Sequence, residues 1–330
     1  MTLARTVGRC RISREFATFW LAHALLWSFA IARMAPPRRI VPGATYLVTR
    51  RCYQRTFRLR PSPATTHVLA YCLALALDKT GVALHAACFM SNHHHLVITD
   101  PRGELPNFLR ELHRSTAKAM NASQGQWENL WSAEPCSAVR LVDEEDVIDK
   151  MAYVAVNPVA AGLVGQPQEW PGLSRWTPGL AKALRPSAYF DENGLCPPQL
   201  SLRFVMPTVG QNASGWLRRL QSAIASKVAK AHHNMRTAGR SFLGRAGVLA
   251  QSFTKRATSF EPKRVIVPTV AAKNPKARRA FLRIQKAFRV AYRVALGAWK
   301  AGERSVVFPF GTWWMWVHHA ARVEPEARTG

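Results

Sequence analysis

The sequence predicts an α/β fold of the α+β kind: a small central, mainly antiparallel sheet with helices packed on it, followed by a basic, mostly helical extension. Three observations carry this reading. Short runs with a period of two are interleaved with longer runs at helical spacing. Those runs come in the order strand, helix, strand, strand, helix, loop, helix. Charge is distributed unevenly, residues 201–330 holding 24 Lys and Arg against four Asp and Glu.

Taken in order, Ala44 to Arg50 alternates as a strand does, with Tyr46 and Val48 on one face. Ser62 to Thr80 reads as a helix, because Thr65, Val68, Leu69, Cys72, Leu73 and Ala76 recur at helical spacing and Gly81 closes the run. Val82 to Cys88 and His93 to Thr99 are apolar, β-branched runs that form a hairpin about Met90-Ser91-Asn92. Glu104 to Met120 is an amphipathic helix carrying Leu105, Phe108, Leu109 and Leu112, and a loop with Trp127 and Trp131 follows it. Asp143 is the expected N-cap of the next helix, with Glu144, Glu145 and Asp146 in the first turn, where the helix dipole favours anions. That helix is expected to end near Asn157, since Pro158 disfavours helical geometry in the residue before it.

Past about Leu180 the texture changes. Pro197, Pro198 and Pro207 mark a linker over 181–200, and 201–330 reads as a basic helical extension. Its clearest helix runs from Lys276 to Trp299. There Phe281, Ile284, Phe288, Tyr292, Ala295 and Trp299 form an apolar stripe, and Arg279, Arg283, Lys286 and Arg293 run along another side as expected phosphate contacts. The cluster from Phe308 to Trp316 reads either as a base-stacking platform or, as the stronger expectation, as an apolar plug. At the other end, Arg5, Arg9, Arg11 and Arg14 precede an apolar run from Phe16 to Ala32. A membrane-directed segment and an extension ahead of a natural start at Met34 are both open, the second being the expectation for residues 1–33.

The 330 residues amount to about two domains, and 48% hydrophobic with 20% charged residues excludes wholesale disorder and fibrous repeats. Six scattered cysteines without a C-x-x-C pair exclude a disulfide framework and a cysteine zinc site, and fit a reducing compartment. A formal charge of +27 favours polyanionic partners, nucleic acid first and anionic membrane second.

Two segments bear the chemistry. In Met90-Ser91-Asn92-His93-His94-His95-Leu96, His93 and His95 share one face of a strand and His94 takes the other. Paired imidazoles suit a divalent cation that tolerates nitrogen, though a polar turn would read the same way. In Tyr153-Val154-Ala155-Val156-Asn157-Pro158-Val159-Ala160-Ala161-Gly162-Leu163-Val164, Tyr153 and Asn157 lie one helical turn apart. Alone, Tyr153 reads as a core aromatic and Asn157 as a cap.

Together the segments resemble the HUH single-strand nucleases, and more closely the REP-associated tyrosine transposases, whose members carry M-P-N-H-x-H-L and later Y-x-x-x-N-P-V-x-A-G-L-V. The likeness begins near Gly43-Ala44-Thr45-Tyr46-Leu47-Val48-Thr49, passes through Leu130-Trp131 and fades near Trp170-Pro171. It implies a ferredoxin-like catalytic domain over 34–180. It also implies a divalent metal ion, Mg2+ or Mn2+, held by His93, His95 and Asn157, and Tyr153 as the nucleophile that forms a 5′-phosphotyrosine. The implied partner is single-stranded or hairpin DNA, with a homodimer as a second expectation, no small-molecule substrate and no membrane attachment. The implied location is cytoplasmic and nucleoid-associated. Ser91 replaces the family's proline and His94 an apolar residue, so a shifted ligand assignment through His94 stays open. So does a DNA- or RNA-binding protein that keeps the scaffold without the chemistry.

Overall fold

Ser62 accepts a hydrogen bond from the Thr65 amide at 3.0 Å, and Pro63 supplies a fixed φ in the first turn; together they start α1 (Pro63–Thr80). Gly81 ends it in the left-handed region at φ 65°, which only glycine adopts without strain. A computed structural model of the protein describes residues 37–187, 194, 196–207, 213–259 and 268–326, so the expectations for residues 1–33 lie outside the described residues. Around α1 the chain runs β1 (Ala44–Arg51), α1, β2 (Ala83–Met90), β3 (His93–Asp100), α2 (Leu105–Gln124) and β4 (Ser137–Leu141). This is the βαββαβ order of a ferredoxin-like unit.

The central sheet has six strands in the order β5-β2-β3-β1-β4-β8, where β5 is Ser174–Arg175 and β8 is Val270–Ala271. Every pairing is antiparallel except β4 with β8. The strand alternation divides the two cores. Tyr46, Val48, Ala87, Phe89, Leu96 and Ile98 face α1 and α2. Leu47, Cys88, Met90 and Val97 face α3 (Glu144–Ala160) and α4 (Ala213–Thr237). Helix α4 is clamped to α3 by ion pairs: Lys227 to Asp149 at 2.8 Å, and Arg219 to Glu144 at 3.0 Å and to Glu145.

Three expectations change. Helix α3 does not stop at Asn157 but runs through Pro158 to Ala160. The proline falls in the last turn, where it forfeits one ladder bond, and the Leu163 and Ala161 amides still close on the carbonyls of Pro158 and Asn157 at 3.0 Å. Strand β4, only five residues long, falls where a loop was expected to continue. The expected linker contributes to β6 (Gly179–Leu184) and β7 (Gln199–Phe204), an antiparallel pair whose Ala183, Leu202 and Phe204 join the core against α1.

The basic extension is continuous with the rest, Arg39–Gly330 forming one compact unit. It supplies α4, α5 (Gly244–Leu249), β8, α6 (Pro275–Lys300), β9 (Val307–Phe308), α7 (Trp314–His319) and β10 (Arg322–Val323). Phe308 is fully buried among Tyr292, Ala295, Trp299 and Met315, so this part of the tail is an apolar plug, while Trp314 and Trp316 stand exposed. Ile284, a member of the apolar stripe of α6, is exposed, because the plug covers only the helix from Phe288 onward.

Candidate active site

The two-residue turn Ser91-Asn92 starts β3, and the loop 52–59 pins it there. The Ser91 carbonyl accepts from the Leu59 amide at 2.9 Å, and the Asn92 carbonyl from Cys52 at 2.8 Å. Within that loop Gln54 and Arg55 both take positive φ, 50° and 58°. This strained pair turns the Arg55 carbonyl toward Asn92, whose Nδ2 donates to it at 3.2 Å. The Asn92 amide is thereby oriented with Oδ1 toward His93 Nδ1, 2.6 Å away. A carbonyl oxygen only accepts, so His93 Nδ1 carries the proton and its lone pair lies on Nε2.

His95 sits two residues on, on the same strand face, its ring edge-on to His93 with centroids 4.8 Å apart. Its Nδ1 lies 2.7 Å from Thr49 Oγ1, in the directly paired position of β1, and its Nε2 lies 3.3 Å from the Tyr153 hydroxyl. If Nδ1–H donates to Thr49, Nε2 presents a lone pair toward the phenol, the same arrangement as in His93. Burial, and secondarily the charges of His93, His94 and Arg51, holds the His95 pKa well below the ordinary imidazole value. The ring is therefore neutral at neutral pH, as a ligand must be.

Tyr153 projects from α3 over these rings, 5.0 Å from His95 between centroids, and is 37% exposed rather than a core aromatic. Asn157 follows one turn later, half-buried, its side chain without a hydrogen-bond partner among the described residues. Helix and hairpin thus bring His93, His95 and Tyr153 together, and place Asn157 on the same helix face as Tyr153. Among the described residues no three His, Cys, Asp or Glu side chains form a metal cluster. Two imidazole nitrogens, that of His93 with its tautomer fixed by Asn92, and one amide oxygen nevertheless fit a divalent cation that accepts mixed nitrogen and oxygen donors, with its remaining positions left to substrate and water.

His94 points the other way. It is fully buried beneath α2 with Nε2 3.0 Å from His113 Nε2, and burial keeps both rings neutral. Arg50 donates to His113 Nδ1 at 3.0 Å, so His113 donates from Nε2 to His94, and His94 Nδ1–H is left without an acceptor. Arg279, Arg283, Lys286 and Arg293 are all exposed on α6. Asn92, which sets the His93 tautomer, and Thr49, which holds the His95 ring, were not singled out from the sequence. Asn92 adjoins His93 and could have been, whereas Thr49 becomes a partner only through the register of β1 with β3.

No protein-family model and no curated protein matches this chain. Among solved structures, it is similar to a Deinococcus radiodurans R1 protein put forward as a transposase, with 18% identity and a TM-score of 0.26 over 34% of this chain and 89% of that one. It is also similar to a REP-associated tyrosine transposase bound to a REP hairpin, with 20% identity and a TM-score of 0.36 over 42% of this chain and 81% of that one.

Proposed function

We propose that this protein is a transposase-like, metal-dependent single-strand DNA endonuclease and strand transferase acting through Tyr153 on hairpin-containing DNA. The observation that carries the reading is the approach of the Tyr153 hydroxyl to His95 Nε2 at 3.3 Å, beside a second imidazole of fixed tautomer. The motif order His-x-His then Tyr-x-x-x-Asn supports it, as does a surface charge suited to a polyanion.

In this reading Tyr153 Oη attacks a phosphodiester phosphorus, the P–O3′ bond breaks, and the products are a 5′-phosphotyrosine and a free 3′-hydroxyl. The covalent link stores the phosphodiester energy, so a second 3′-hydroxyl can later displace the tyrosine without ATP. His93, His95 and Asn157 would hold the divalent cation, which acts as a Lewis acid on the scissile phosphate. The His95 Nε2 lone pair can hold a cation or take a proton, not both. With that nitrogen committed, the phenolic proton passes to solvent, which the exposure of Tyr153 permits. Thr49 and Asn92 keep the ring nitrogens aimed.

A labelled hairpin oligonucleotide incubated with Mg2+ or Mn2+ is expected to give a covalent adduct that survives detergent and disappears in Tyr153→Phe with DNA binding retained. Binding by the wild type with no adduct under either metal would sink the catalytic reading and leave a nucleic-acid-binding scaffold.

A further inference from the structure

Across the sheet from Tyr153 there is a cavity of about 370 Å³ that the reaction above does not use. It opens between β1 and α2, on the face that carries Tyr46 and Val48. Its walls hold Arg50, Arg110, Arg114, His113, Trp131 and Cys136. Positive charge there is poorly matched. Among the described residues only Arg114 of these has a carboxylate, Glu111 at 3.0 Å, which Lys79 shares at 3.2 Å. Arg110 has no ion pair among the described residues, and neither does Arg50. Arg50 gives Nη1 to His113, lays its guanidinium 5.7 Å from the Trp131 ring, and keeps a buried Nε without an acceptor. Burial depresses its pKa and the neighbouring Cys136 offsets this only in part, as for a cation drawn partly out of water with no carboxylate beside it. A desolvated guanidinium that lacks an anion is costly, and one supplied from outside would relieve it.

We propose that this cavity binds a phosphate group, carried either by a nucleic-acid strand or by a free nucleotide. Guanidinium forks match the oxygens of a phosphate. Three of them around one cavity serve a group with several anionic oxygens better than a single carboxylate does. The volume takes a phosphate with its sugar, within the usual range of ligand sites. Tyr153 plays no part in this site, which stands or falls apart from the strand-transfer reading.

The test uses the full chain. Thermal unfolding in inorganic phosphate, against chloride at equal ionic strength, reads the free-phosphate arm; binding of a labelled single-stranded oligonucleotide over a salt series reads the strand arm. The variants are Arg50→Gln and the exposed Arg110→Glu, which keeps the test standing if Arg50→Gln fails to fold. Arg203→Glu, on an exposed part of β7 outside the cavity, is the charge-matched control. Phosphate is expected to raise the unfolding temperature of the wild type and the control but not of Arg50→Gln or Arg110→Glu. If the strand supplies the phosphate, Arg110→Glu also lowers DNA affinity about tenfold and makes the slope of log K against log salt shallower by about one, with the control changed less. Loss of the phosphate response with unchanged DNA affinity assigns the site to a free nucleotide. Equal behaviour of cavity variants and control in both assays overturns the proposal.

Discussion

The hydroxyl of Tyr153 lies 3.3 Å from Nε2 of His95, although the two residues are 58 positions apart in the chain. What aims that nitrogen is the other side of the ring, where Thr49 Oγ1 meets Nδ1 at 2.7 Å. Thr49→Val keeps the β-branched shape that the strand favours and removes only the hydroxyl. Residues that orient a ligating histidine typically contribute about 10- to 100-fold to activity or metal affinity. The adduct-forming rate is therefore expected to fall by that factor while DNA affinity stays within twofold of wild type. An unchanged rate would mean that packing alone aims the His95 ring.

The buried imidazoles make stability depend on pH in a stated direction. Burial holds His85, His94, His95 and His113 below the ordinary value near 6.5. Below that value the unfolded chain binds protons at these positions and the folded chain does not, so stability rises with pH through this window. It is fully present above about pH 7 and is lost as pH falls below 6.5, by about 1.4 kcal/mol per pH unit for each histidine that remains neutral. Denaturant midpoints measured between pH 5 and pH 8 check this: a plateau above neutrality and a steep fall beneath it are expected. His113→Gln, which cannot titrate, should reduce the steepness.

Much of this site is legible in the sequence because it rests on local periodicities. The alternation in a strand puts His93 and His95 on one face and His94 on the other; the helical turn puts Asn157 one step from Tyr153. The first half of the sheet is legible for the same reason, since Ser62, Pro63 and Gly81 bound α1 and Asp143 opens α3. What is hidden is set by tertiary pairing. The five residues Ser137–Leu141 are too short for a periodic signal and become a strand only because β1 offers an edge. Val270–Ala271 is recruited in turn by β4. Pro158 misleads, because its cost depends on how near it lies to the helix end. Thr49 reaches His95 only through a register that no local pattern encodes.

Asp146 joins the extension to the core. Its buried carboxylate accepts from the Asp143 amide at 3.1 Å and from the Lys273 amide at 2.8 Å, next to the two residues of β8. Asp146→Ala removes the acceptor of two part-buried backbone amides, a loss of about 1–3 kcal/mol at about 0.5–1.5 kcal/mol for each hydrogen bond. Hydrogen exchange should accelerate at Ala271 and its β4 neighbours before it does in β3. Uniform acceleration across the sheet would instead describe a global loss with no separate release of β8.

Asn157 bears on why a neutral ligand set would be used at all. Two imidazoles and an amide bring no negative charge to a cation, so the cation keeps its full attraction for the phosphate oxygens that approach it. Replacing the amide by a carboxylate shifts that balance. Asn157→Asp is expected to lower the Mn2+ concentration for half-maximal adduct formation about tenfold or more. The added charge should at the same time repel the incoming strand and weaken DNA affinity at low salt. Asn157→Leu, which removes the oxygen, should raise the Mn2+ requirement without that electrostatic effect on the strand. Calorimetric titration of Mn2+ into the protein alone reads the first change independently of turnover. If both variants bind Mn2+ as the wild type does, Asn157 is a helix residue before a proline and the cation rests on the histidines without it.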